Sequence, residues 1–333
     1  MDYPLIFALI IAFGVFMYVF MDGFDLGVGI LFPIAGRSEE ERDTMMNTVA
    51  PVWDGNETWL VLGGAALFGA FPLAYATLLP ALYLPLLVML VALIFRGVAF
   101  EFRFKTVRAK HLWSIAFTGG SVVCAFTQGV VLGAYISGFL IEARDFAGGA
   151  FDWFGLFPVF TGLAVVAGYA ALGCGWLILK TEGPLQDRCF RLMPGLIAAV
   201  LLAIIVVSIW TPFVDPRIAS RWFALPNLFW LAPVPLAVGL CGLFLVRALR
   251  RRQELAPFVL TLALFALSFL GLGISLWPTV VPPDITIWDA AAPDESLAFL
   301  LVGVAILIPV ILAYTAYTYY VFRGKVRAGE GYH

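Results

Sequence analysis

Apolar residues along this chain gather into long runs, with the polar ones confined to short gaps between them. Crossing about 30 Å of hydrocarbon takes roughly 20 residues of helix, and nine runs come near that length. They extend from Leu5 to Phe32, Gly55 to Phe71, Tyr75 to Phe100, Trp113 to Ile141 and Leu156 to Leu179. The remaining four extend from Leu192 to Thr211, Leu225 to Val246, Pro257 to Val280 and Leu297 to Phe322. The second is the shortest, and the first is long enough to bend at its glycines. One gap, Ser38-Glu39-Glu40-Glu41-Arg42-Asp43, predicts a short amphipathic helix leading into the second run. Turn-formers mark Pro282-Pro283 and Ala292-Pro293-Asp294. The expected fold is all-α, a polytopic membrane bundle of about nine transmembrane helices, with residues 1–333 as a single integral membrane domain.

Basic residues orient the array, because loops rich in Lys and Arg stay in the cytoplasm. With the N-terminus outside, the inner segments hold sixteen of them, among them Arg37, Arg103, Lys110, Lys180, Arg188, Arg250 and Lys325. The outer segments hold three: Arg144, Arg217 and Arg221. Arg96 lies inside the third run. The asymmetry predicts a periplasmic N-terminus and a cytoplasmic C-terminus, and supports the count of nine, since a missed span would scramble the alternation.

Composition agrees. Hydrophobic residues make up 62% and charged residues 13%, where a soluble domain holds about 45–50% and 25%. A formal charge of −2 gives no reason to expect nucleic acid as a partner. The first run is expected to be a span and not a signal peptide, because Met1-Asp2-Tyr3-Pro4 carries no positive charge. Cys124, Cys174, Cys189 and Cys241 have no CxxC spacing and read as packing residues. The two histidines, His111 in a basic loop and His333 at the end, fall outside the predicted spans. Helix bundles that hold haem normally ligate it with buried His, sometimes with Met or Cys. Haem is therefore expected in another chain.

Against this apolar background the carboxylates stand out. Asp22 and Asp25 fall in Met21-Asp22-Gly23-Phe24-Asp25-Leu26-Gly27, and Asp54 and Glu57 in Trp53-Asp54-Gly55-Asn56-Glu57-Thr58-Trp59. A charge near the centre of a membrane helix costs about 2.5–3.5 kcal/mol on insertion scales, so such groups face protein or water and often carry protons. Each pair is three residues apart and shares a helical face. Both are expected on the cytoplasmic half, where they could converge into one polar funnel. Other readings stay open. Asp54 and Glu57 also fit a capping box, Gly23 and Gly27 fit close helix packing, and Arg96 could either snorkel to the interface or pair with an intramembrane Asp. Glu101 follows it in Phe95-Arg96-Gly97-Val98-Ala99-Phe100-Glu101-Phe102-Arg103.

These blocks resemble subunit II of cytochrome bd-type ubiquinol oxidases. The likeness continues through Leu179-Lys180-Thr181-Glu182-Gly183, Ile287-Trp288-Asp289-Ala290 and Ile308-Pro309-Val310-Ile311-Leu312-Ala313-Tyr314-Thr315-Ala316, so it runs essentially end to end. The resemblance implies a bacterial inner-membrane, multi-pass subunit with no complete catalytic site of its own. Its partner would be subunit I, which carries haem b and haem d (or b-type haem alone) and oxidises quinol. The complex would reduce oxygen to water without pumping and still build a proton-motive force. By position, Asp25 and Asp54 become the main proton-path candidates, with Asp22, Arg96 and Glu101 beside them. Glu57 ranks lower, because the family often has a neutral side chain there. Some members carry a structural quinone, for which Trp53 to Trp59 is the stretch of interest, and a small single-helix accessory subunit is a further candidate partner besides lipid. The chain is short for the family, with compact outer loops, and in that looks like the cyanide-insensitive branch.

Two competing readings follow from the same residues. A proton-coupled secondary transporter would place its site near the midplane on broken helices of two related halves, whereas these acids bunch in the first spans. A purely structural subunit explains the glycines and leaves the acids without a role.

Overall fold

A computed structural model gives the structure of the chain over residues 1–327, so His333 lies outside the described residues. Helix α1 (Tyr3–Ala35) begins where Asp2 accepts a hydrogen bond from the Leu5 N–H at 3.1 Å. The predicted amphipathic piece forms α2 (Glu39–Asn47), opened by a capping box between Ser38 and Glu41. Next come α3 (Trp53–Ala70) and α4 (Pro72–Lys105), joined through Phe71 alone. Pro72 lacks an N–H and suits a helix start. Then follow α5 (Lys110–Ser137), the antiparallel hairpin β1 (Ile141–Glu142) and β2 (Asp145–Phe146), α6 (Leu156–Lys180) and α7 (Gly183–Val214). The chain continues with α8 (Pro216–Phe223), α9 (Asn227–Leu231), α10 (Pro233–Arg250) and α11 (Leu255–Leu276). A second hairpin, β3 (Thr279–Val281) and β4 (Ile285–Thr286), leads through α12 (Ile287–Ala290) to α13 (Asp294–Val321).

Asp2 and Val326 sit at opposite ends of the bundle. At one end Trp288 Nε1 reaches Asp2 at 3.3 Å, and the Ala292 N–H donates to the Ala70 carbonyl at 2.9 Å. At the other, the Val326 N–H donates to the Lys180 carbonyl at 2.9 Å and Arg188 Nε to the Ala35 carbonyl at 2.8 Å. Among the described residues, eight helices, counting α9 with α10 as one, are long and apolar enough to cross a membrane. The expected ninth is α3. It is 18 residues long and opens with Trp53-Asp54-Gly55-Asn56-Glu57, so its first turns are too polar for a free-standing span.

The core lies where α1 and α6 meet backbone to backbone. A Cβ on Gly173 would stand 2.7 Å from the Gly27 Cα, and one on Gly27 would meet the Tyr169 carbonyl oxygen and the Gly173 nitrogen. Small residues permit this approach. The reading of Gly27 as a packing glycine is thus realised, and the contact fixes the height of the acidic stretch of α1.

Candidate functional site

Asp22 and Asp25, one helical turn apart on α1, are both fully buried, as is Arg96 on α4. Arg96 Nη1 lies 3.0 Å from Asp22 Oδ1 and donates to Glu57 Oε1 at 2.6 Å. Its Nη2 lies 3.8 Å from Asp25 Oδ2. The guanidinium also sits 5.7 Å from the Phe100 ring centre. One cation therefore touches three carboxyls from two other helices. Of these, Glu57 on α3 is the one with access outward, its side chain 23% exposed. Gly120 on α5 allows the close fit, since a Cβ there would stand 2.6 Å from the Ala92 carbonyl and 3.1 Å from the Arg96 nitrogen.

Uncharged polar groups extend the cluster in two directions. Asn56 Nδ2 donates to Asp25 Oδ2 at 2.7 Å, and Tyr319 on α13 donates to Asn56 Oδ1 at 3.0 Å. On the other side Tyr169 donates to Gln128 Oε1 at 2.7 Å, and Gln128 Nε2 donates to the Tyr18 oxygen at 2.7 Å. Tyr18 is one turn before Asp22 on the same helix face. None of Asn56, Tyr319, Gln128, Tyr169 and Tyr18 emerged from the sequence, where charge was the signal. An amide inside an apolar run, as at Gln128, was the available hint.

The sequence candidates thus divide. Asp22, Asp25, Glu57 and Arg96 come together. Asp54 is exposed one turn before Glu57, and Glu101 is exposed and paired with Lys105 at 3.0 Å. The capping box drawn for Asp54 and Glu57 does not form, since the helix is entered from Val52 with no side-chain cap. Arg96 is buried among the acids, which replaces the snorkelling alternative. Trp59 is fully buried, edge-on to Phe13 at 5.6 Å, and Trp53 stacks on Phe100 at 4.9 Å. A surface depression of about 350 Å³ lies elsewhere, along Val206, Ile209, Trp210 and Phe213 of α7. His111 is exposed in the first turn of α5, and the four cysteines are buried thiols.

A second charged cluster fastens α2 to the same end of the bundle. The fully buried Arg103 donates to Glu39 at 2.9 Å and also pairs with Asp43, while Lys110 reaches Asp43 at 2.9 Å. Burial pushes the Glu39 carboxyl up, but the Arg42 hydrogen bond and the charges of Arg103 and Lys110 outweigh it, holding the group below its ordinary value. Glu41 behaves likewise: burial is outweighed by the Arg37 N–H and by Arg188.

The family profile described as cytochrome bd terminal oxidase subunit II matches residues 3–322. The chain is 31% identical over 324 residues to the cytochrome bd ubiquinol oxidase subunit 2 of Bacillus subtilis (strain 168), covering 94% of each protein. It is 28% identical over 345 residues to the cytochrome bd-I ubiquinol oxidase subunit 2 of Escherichia coli (strain K12), covering 92% of this chain and 90% of that one. Its fold superposes on a chain of the bd oxidase from Geobacillus thermodenitrificans with a TM-score of 0.77. That match has 18% sequence identity and covers 98% of this chain and 100% of that one.

Proposed function

The chain belongs to the cytochrome bd terminal oxidase subunit II family, and from that premise we propose that it carries cytoplasmic protons toward the oxygen-reducing centre of a haem-bearing subunit I. It is one subunit of an oxidoreductase complex of the respiratory chain. Haem in the partner would supply the electrons for oxygen reduction. This chain supplies protons and support. The N-terminus faces the periplasm and the C-terminus the cytoplasm of a bacterial inner membrane, so the Arg96 end of the bundle is the uptake side.

The observation that carries this reading is the ratio of charges around Arg96. Three carboxylates against one guanidinium would leave uncompensated charge in a dry site, which is costly. A group of acids that shares one cation in such a site is suited to accepting protons and passing them on. Exposed Asp54 and Glu101 form the mouth, Glu57 is the outermost of the linked acids, and Asp25 and Asp22 are the buried stations. Arg96 holds them in register. The transporter reading loses support, because the acids sit on the first three long helices, α1, α3 and α4, with no counterpart cluster among the described residues of the later ones.

The test is Asp25→Asn, alone and with Asp22→Asn, in the assembled complex. Quinol oxidase turnover is expected to fall by at least about tenfold, as for loss of a proton-transfer group, with the reduced-minus-oxidised haem spectrum unchanged. Full turnover in the double variant would overturn the proton role.

A further inference from the structure

Along α13 only Leu297 and Thr315 are buried. Thr315 is the anomaly, because its Oγ1 is shut off from solvent and has no hydrogen-bond partner among the described residues. Threonine in a helix ordinarily donates to a carbonyl one turn back. Thr44, Thr77, Thr127, Thr161 and Thr261 do so here, each at 2.7–2.9 Å. Even half-exposed Thr318, next along α13, donates to the Tyr314 carbonyl at 3.1 Å. A buried hydroxyl without a partner is costly, so one that avoids its own helix points to a partner outside the protein.

The place for that partner is a cavity of about 10 Å³ between α3 and α13, the order of size that holds a single water. Thr315, Asn56, Thr318 and Tyr319 give it polar walls, and Gly55 gives it room: a Cβ there would stand 3.3 Å from the Tyr314 ring. Asn56 Oδ1 and the Tyr319 oxygen each keep a lone pair beyond the bond they share. A water that accepts from Thr315 can therefore donate to either.

We propose that this cavity is a binding site for one ordered water, and that Thr315 is a positioning residue which, through that water, fixes the Tyr319–Asn56–Asp25 chain. The inference rests on the proton-path reading for its purpose, not for the water itself. A carboxamide passes no proton under ordinary conditions, so the chain is a brace and not a wire. Its bonds force the orientation of Asn56, with Nδ2 toward Asp25 at 2.7 Å and Oδ1 toward Tyr319 at 3.0 Å.

The experiment is a high-resolution map of the assembled oxidase for wild type, Thr315→Ser and Thr315→Val, with infrared difference spectra in the carboxyl-stretch region. A density peak within about 3.2 Å of the residue-315 hydroxyl is expected in wild type and Thr315→Ser, and not in Thr315→Val. Thr315→Val alone should shift the band assigned through Asp25→Asn and slow turnover on the order of two- to tenfold, the weight of one hydrogen bond, at unchanged haem content. A cavity filled by a partner side chain or lipid in the wild-type map would overturn the proposal, as would an unmoved band in Thr315→Val. If the water is present but Asp25→Asn turns over fully, the site stands and the proton path fails.

Discussion

Replacing Arg96 by glutamine removes the cation that touches Asp22, Asp25 and Glu57 and leaves the carboxyls where they are. Both aspartates and the arginine are fully buried, so solvent does little to screen the change. Breaking a buried ion pair by deleting one partner costs about 3–5 kcal/mol, a large share of a typical stability of about 5–15 kcal/mol. At about 1.4 kcal/mol per tenfold, the folded-to-unfolded ratio should fall by a factor of about 10² to several times 10³. Arg96→Lys keeps the charge but loses the two-nitrogen fork that spans Asp22 and Asp25, and should be intermediate. The decisive variant adds Asp22→Asn and Asp25→Asn to Arg96→Gln. With both buried aspartates neutralised as well, and only the part-exposed Glu57 left ionisable, much of the stability should return while turnover stays low. The assay is thermal inactivation of the purified complex, followed by haem absorbance and by quinol oxidase rate. Wild-type stability in Arg96→Gln, or a triple variant no more stable than the single one, would refute the reasoning.

Glu57→Gln keeps an oxygen to accept from Arg96 and should shift the thermal midpoint little, whereas Glu57→Ala should cost about 1–3 kcal/mol. Exposed Asp54→Asn should stay within about 0.5 kcal/mol of wild type, and thermal denaturation of the three variants separates these cases. Gly27→Ala drives a methyl into the α6 backbone and should destabilise by about 1–3 kcal/mol or more. Gly64→Ala, with nothing within 4 Å of its Cβ, should be tolerated, and the yield of intact complex reads out both. Glu39 and Glu41 are held below their ordinary values, so their contribution to docking α2 is complete above the unfolded carboxyl range and is lost as pH falls through the lowered values. Hydrogen exchange at α2 should be flat from pH 8 to about 5, after correction for intrinsic rates, and rise below about pH 4. Protection lost already between pH 8 and 6 would contradict the assignment.

Most of the bundle was legible because hydrophobic run length and loop charge are properties of single segments. The segments expected inside, around Lys110, Lys180 and Arg188, do share one end, and Asp2 meets Trp288 at the other. The site was legible in kind and less so in detail. Asp54 and Glu57 look equivalent in sequence, and only the rotation of α3 against α1 turns Glu57 toward Arg96 and leaves Asp54 outside. Asn56 meets Tyr319 across 263 positions, a distance that no local pattern spans. Arg96 carried two readings because burial of a charge depends on its partners, which come from two other helices.

The polar opening of α3 bears on how the chain enters the membrane. Its apolar part, from Leu60 to Ala70, is about 16 Å long at 1.5 Å per residue, roughly half the hydrocarbon thickness. Presented alone to the insertion machinery, such a segment would not stay. The single-residue link at Phe71 ties α3 to α4, and α3 is expected to be held in the membrane by packing on α1 and by the contact of Glu57 with Arg96. The pair forms only once α3 and α4 have come together, so a lesion at either residue is expected to lower the yield of inserted chain.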